Sequence, residues 1–270
     1  MIHQPWLPAH RWITATRRRA SEGSEKEKKE EEEEGERRKK RVTAAAAAMC
    51  AQRCEVTVRG AVSQRSLGAL VWEIFAHALY QRGQLPLPYP QLLHFHSRLA
   101  EVPPRLRQEA RTLTALHEMR GHLETLFSLS HVPRVLILLG PSPVSPLELY
   151  ELDFHELALG GSIDSLCHAR YSRHVFHSLF VQDVFGEPRT LPVTSATLLL
   201  WAHRDCGVDW FKPKLNYKPP TRGRRVVVTF SNSLEEPLDT ALGQPREDDC
   251  VWFQAPVAIK GVLDSGSGQG

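Results

Sequence analysis

Val132-Pro133-Arg134-Val135-Leu136-Ile137-Leu138-Leu139-Gly140 is the stretch on which the fold turns. From 132 to 139 the apolar character is nearly unbroken, as in a strand covered on both faces. Residues 140–146 then hold three prolines and read as loop. Working backward, the pattern is helical. Leu113, Leu116, Leu123, Leu126 and Phe127 share one face of a long helix over 106–129, interrupted only by Gly121 and preceded by Pro103-Pro104. Residues 91–99 fit a short helix, and the prolines of Leu85-Pro86-Leu87-Pro88-Tyr89-Pro90 make a stiff connector. Before it, Ser63 offers an N-cap to a helix carrying Leu67, Leu70, Val71, Ile74, Phe75, Ala78 and Leu79, which ends near Gly83. Residues 55–58 alternate as a short first strand.

Working forward, 147–154 alternates apolar residues with Glu and Asp, the pattern of a third strand. Residues 165–185 predict a third long helix with two apolar stripes, Tyr171/Val175/Leu179 and Phe176/Phe180/Val184. One core face does not need both, so one aromatic, Phe176, is expected to point outward. Past Pro188, residues 193–203, 225–230 and 251–262 read as strands, the last as one continuous segment; Trp252 and Phe253 within it point to opposite faces, so at most one is surely core. Strand, helices, strands, helix, strands is an α+β order, not the regular alternation of a doubly wound sheet.

The 270 residues carry 34 basic and 31 acidic side chains, a net charge of +3. Residues 1–51 hold 12 basic and 9 acidic groups, leaving 22 of each in the rest. A balanced domain argues against nucleic-acid binding. No apolar run approaches the roughly 20 residues of a membrane span, and no N-terminal secretion signal is evident. Residues 1–51, with the acidic run 30–34 and the basic run 37–41, read as a disordered charged tail; its basic clusters also suit a nuclear-import signal. The Gly/Ser-rich 264–270 reads as a flexible C-terminus. One domain remains, 52–263.

Catalytic signatures are missing. No phosphate-binding glycine loop, nucleophile elbow or HExxH motif occurs. His94 and His96 lie two apart, a spacing that suits a strand face. Cys50, Cys54, Cys167, Cys206 and Cys250 are odd in number and widely spaced, as in reduced structural thiols of the cytosol or nucleus. His203 and Cys206 leave a cysteine-dependent hydrolase as one alternative, although sequence proximity is weak evidence for that geometry.

Five strings carry a family resemblance: Tyr80-Gln81-Arg82-Gly83-Gln84-Leu85-Pro86-Leu87-Pro88-Tyr89; the opening stretch 132–140; Ser145-Pro146 with Tyr150-Glu151-Leu152-Asp153; the run from His203-Arg204-Asp205-Cys206-Gly207 through Trp210-Phe211-Lys212-Pro213-Lys214 to Leu215-Asn216-Tyr217; and Trp252-Phe253-Gln254-Ala255-Pro256-Val257. In this order, across 52–263, the chain resembles the Comet family of vertebrate proteins that bind the spindle-checkpoint factor Mad (mitotic arrest deficient). Residues 1–51 are outside the resemblance. It implies a HORMA-like domain: a twisted, mostly antiparallel sheet backed by three main helices, with a C-terminal segment wrapping back.

The resemblance also implies a non-enzymatic adaptor without cofactor or metal. Such an adaptor binds the closed conformer of Mad by mimicry. It presents Mad to a hexameric AAA+ ATPase of the thyroid-receptor-interacting or pachytene-checkpoint type, so that checkpoint complexes disassemble. It implies Phe176 and Gln81 at the Mad interface and Pro213 and Lys214 in an ATPase-adaptor loop; Trp210 and Phe211, just before that loop, read as its anchors to the core. The expected location is nucleus and cytoplasm, with spindle and kinetochore in mitosis. An adaptor for another HORMA protein in meiosis or repair is the second alternative. Ser142-Pro143 and Ser145-Pro146 are candidate proline-directed phosphorylation sites.

Overall fold

The computed structural model describes residues 51–160, 168–186, 191–233 and 249–262. The expected tail, the expected helix start at 165–167, Cys50, Cys167 and the expected flexible terminus 264–270 lie outside the described residues, apart from residue 51. Strand β1 (Gln52–Val58) leads to helices α1 (Gln64–Gln81), α2 (Tyr89–Ser97) and α3 (Arg107–Leu129). Strands β2 (Arg134–Gly140) and β3 (Glu148–Glu156) precede helix α4 (His168–Val181). Strands β4 (Ser195–His203), β5 (Lys212–Lys214), β6 (Arg224–Asn232), β7 (Cys250–Gln254) and β8 (Ile259–Lys260) complete the order.

Local chemistry sets the helix ends. The Ser63 hydroxyl accepts the Ser66 N–H at 3.2 Å, capping the start of α1. At the far end Gly83 takes φ 65°, its N–H donates to the Tyr80 carbonyl at 3.0 Å, and the Gln84 N–H donates to Leu79 at 2.8 Å. This left-handed ending satisfies carbonyls that the last turn leaves open, and glycine adopts it without a Cβ clash. Helix α4 ends in the same way, with Asp183 at φ 52° and the Val184 N–H bonded to Leu179 at 3.0 Å. Helices α1 and α3 approach closely at Gly68, where a Cβ would lie 2.9 Å from Cβ of Phe127.

The strands form one sheet in the order β1-β6-β3-β2-β4-β7-β5, with β8 also paired to β4. β1–β6 and β6–β3 are parallel and the other pairings antiparallel, so the sheet is mixed and mostly antiparallel. The α+β fold expected from the element order is present. The long helices α1, α3 and α4 bury their apolar residues against one sheet face with Val135, Ile137 and Leu139. Leu136 and Leu138 join Leu149, Leu199 and Trp252 in a second cluster, against which Trp201 and Tyr217 pack. Alternate residues of β2 thus serve two cores, which explains its unbroken apolar run. Each such side chain contributes about 1.5–3 kcal/mol of burial.

Several expectations are corrected. The Glu residues of the expected strand over 147–154 are buried in β3: Glu148 and Glu151 are only 4% and 6% exposed. The strand lies inside the sheet, and the two carboxylates are accommodated by arginines, Arg82 and Arg224 beside Glu148 and Arg134 and Arg225 beside Glu151. The expected strand over 251–262 divides into β7 and β8. Pro256 lies in the break, and both pieces pair with β4. Trp252 and Phe253 do face opposite ways, yet both are buried, because each face has its own apolar cluster. His94 and His96 lie on helix α2, where His96 meets Glu109 at 2.6 Å. The expected loop at 212–214 is strand β5, paired with β7.

Candidate partner-binding surface

Helix α4 lies along the sheet edge formed by β1. The Gln182 carboxamide accepts the Glu55 N–H at 3.2 Å and donates to the Glu55 carbonyl at 2.7 Å, in place of a neighbouring strand. His174 Nε2 lies 2.9 Å from the Thr57 carbonyl. These contacts occupy edge groups that would otherwise invite another strand.

With Tyr171, Val175 and Leu179 buried, the second stripe of α4 faces away from the sheet. The expectation that Phe176 is the outward ring is corrected: Phe176 is half-buried and packs against the main core, and Phe180 is the exposed one, at 54%. Val184, expected on the same stripe, is buried, because the left-handed turn at Asp183 redirects the chain inward. His77 of α1 meets the rings of Phe176, Phe180 and Phe185 at 5.4, 5.4 and 4.7 Å. Burial holds the His77 imidazole below its ordinary pKa, favouring the neutral form. Phe176 also borders a groove of about 410 Å³ with Trp72, Tyr80 and Tyr89 among its walls.

Gln81 is the last residue of α1, half-buried, with no side-chain hydrogen bond to any described residue. It does not line that groove; its neighbour Tyr80 does. The following residues face inward. Arg82 is fully buried, its Nε donating to Glu148 at 2.6 Å and its guanidinium to the Phe185 carbonyl. Tyr150 donates to the same carboxylate at 2.7 Å. The Gln84 side chain donates to the Arg82 carbonyl at 2.9 Å and accepts the Thr194 N–H at 2.9 Å, while its carbonyl accepts the Val262 N–H at 2.9 Å. One short string thus ends α1, offers Gln81 to the surface and holds the C-terminal segment against the fold.

At the opposite end of the strand order, β5 is the outermost strand and all three of its residues are exposed. Pro213 brings no N–H to the ladder, a residue tolerated at a sheet edge. The Lys212 ammonium donates to the Asp209 carbonyl at 3.0 Å, whereas the Lys214 ammonium has no hydrogen bond or ion pair with any described residue, although the Lys214 carbonyl accepts the Tyr217 N–H at 3.2 Å. The preceding residues anchor this edge as expected. Phe211 is buried, and Trp210 stacks on His122 at 4.5 Å and donates to Glu118 at 2.9 Å. Six strand spacings of about 4.8 Å put β5 roughly 29 Å from β1 along the sheet. Phe176, on the helix beside β1, and Pro213 and Lys214, in β5, therefore lie at opposite ends of the strand order, while Gln81 sits at the end of α1.

The hydrolase alternative finds no geometry. Cys206 is buried, and Nδ1 of His203 accepts the Asp205 N–H at 3.2 Å, with no bond between the two side chains. Burial, with Glu55 beside it, pushes the Cys54 thiol up to about 11, away from thiolate chemistry. No group of metal-binding side chains occurs among the described residues. No helix among them is long and apolar enough to cross a membrane. In the 140–147 loop Ser145 is exposed, and the Ser142 hydroxyl accepts the Ser145 N–H at 3.2 Å.

Phe180, His77 and Tyr80 were not singled out from sequence. The available signal was the doubled stripe, but periodicity alone does not show which ring α4 leaves outside.

Two curated relatives cover most of this chain. The mouse (Mus musculus) "MAD2L1-binding protein" is 39% identical over 218 residues, 76% of this chain and 77% of that protein. The human (Homo sapiens) "MAD2L1-binding protein" is 39% identical over 234 residues, 80% of this chain and 83% of that protein. The sequence model of the p31comet family, described as "Mad1 and Cdc20-bound-Mad2 binding", matches residues 14–264 and so begins within the charged stretch that the resemblance left out. On a match of that extent, joined to relatives of that identity, the chain belongs to the p31comet family.

Proposed function

We propose that this chain is a non-enzymatic adaptor of the spindle assembly checkpoint. It binds a Mad2-type protein in its closed, Cdc20-bound form and presents it to a hexameric AAA+ ATPase, which returns it to the open form and disassembles the checkpoint complex. Membership of a family described by Mad binding is the observation that carries this reading. The geometry supports it in a second way. An adaptor must hold two partners at once, and the aromatic ridge of α4 lies at one sheet edge while β5 lies at the other. Partners on these two edges need not compete for space.

In this reading Phe176 anchors the Mad2-type partner and Gln81 supplies hydrogen bonds at the rim, while Pro213 and Lys214 meet the ATPase. Aromatic anchors on a rigid helix bury large area with little loss of side-chain freedom. The exposed Lys214 suits an acidic partner surface. The proposed setting is the nucleus and cytoplasm, and the spindle in mitosis. Co-elution of the full chain with Cdc20-bound Mad2 and with unliganded Mad2 tests the proposal. Expected is a complex with the Cdc20-bound form alone, weakened by Phe176→Ala. Failure to bind either form would sink it.

A further inference from the structure

Resting on the Mad2-type partner proposed above, we infer that Phe180 is a second binding anchor beside Phe176, and that His77 is the positioning residue that holds the two rings. Phe180 is 54% exposed, the highest value among the exposed aromatics of the described residues, and Val181 beside it is 71% exposed. Leaving such rings in water forgoes burial worth about 1.5–3 kcal/mol each. The two phenylalanines are four residues apart, on adjacent turns of one helix face, with ring centroids 6.3 Å apart. A partner that covers Phe176 therefore meets Phe180 on the same approach. Arg173 and His177 are exposed beside the rings, but the rings themselves are apolar, so the surface that covers them is an apolar hollow on the Mad2-type partner.

His77 gives the ridge its shape. Its ring stands edge-on to both phenylalanines, at 78° to Phe176 and 89° to Phe180. Behind it sits Phe185, whose carbonyl is gripped by the buried Arg82. Nε2 of His77 is buried with no hydrogen-bond partner among the described residues, so the imidazole serves there as an aromatic spacer. Rings held in this way before docking lose little freedom when they bind.

The test measures affinity of the full chain for Cdc20-bound Mad2, with a melting curve for each variant. Phe180→Ala is expected to weaken binding about tenfold or more with the melting temperature held. His77→Ala is expected to weaken it similarly, and His77→Phe, which restores a ring, to recover most of the loss. A wild-type chain that does not bind overturns the partner reading and this inference with it. Wild-type binding with an equally tight Phe180→Ala variant overturns the inference alone. A His77→Ala variant that melts earlier yet binds as tightly as wild type overturns the positioning role.

Discussion

Helix α4 offers a partner two aromatic rings on a rigid rod, whereas β5 offers a proline and an unpaired lysine on three residues of edge strand. In the proposed function the first would recognise its partner by burying apolar area, a short-range effect with little salt dependence. The second would recognise its partner by charge, which acts over longer distances and weakens with ionic strength. The difference suits two tasks. An apolar ridge favours a lasting grip on one conformer of one protein. Two exposed lysines at a stiff edge, in the proposed function, would favour rapid, reversible delivery to a second machine.

Five outcomes test that contrast. The largest comes from their shared scaffold. Glu148→Ala would leave the buried Arg82 without its carboxylate, at a cost of about 3–5 kcal/mol, and lower the melting temperature by roughly 10 °C. It should weaken both sites together, since both hang from one sheet; calorimetry and the two binding assays read this directly. Next, Phe176→Ala should cost about 2 kcal/mol in Mad2 affinity and leave ATPase binding intact. Titrating the wild-type complex from low to high salt should change that affinity little.

Smaller still, Lys214→Ala should weaken ATPase binding by about 1 kcal/mol or less and flatten its salt dependence, with Mad2 affinity unmoved. Equal loss at both partners would mean that the two edges are not independent. The last effect is on pH. Burial lowers the His77 pKa in the folded chain below its ordinary 6.5, so the unfolded chain binds the extra proton first. Its contribution to stability is complete above about pH 6.5 and is lost as pH falls through the folded value. A melting series from pH 7.5 to 5 should show this loss in wild type and a smaller one in His77→Phe.

Much of this was legible in the residues. Ser63, Gly83 and the spacing of Leu67 through Leu79 set α1 because caps and helical periodicity are local properties. The run through β2 announced a strand covered twice over, since nothing else justifies so many consecutive apolar residues. Other features were illegible for an equally physical reason. Glu148 and Glu151, on opposite faces of β3, look like exposed positions until Arg82, Arg134, Arg224 and Arg225 arrive from distant parts of the chain. Lys212-Pro213-Lys214 has the composition of a loop, and only pairing with β7 makes it a strand.

By itself, then, the sequence determined the α+β class, the three long helices, the family and a surplus aromatic stripe on α4. Periodicity, capping and motif strings are written into consecutive residues. The tertiary structure decided which rings of that stripe stay in water, which charges are buried, and that the two proposed docking sites occupy opposite edges of one sheet. Burial and strand order are relations between residues far apart in the chain, and only the folded packing sets them.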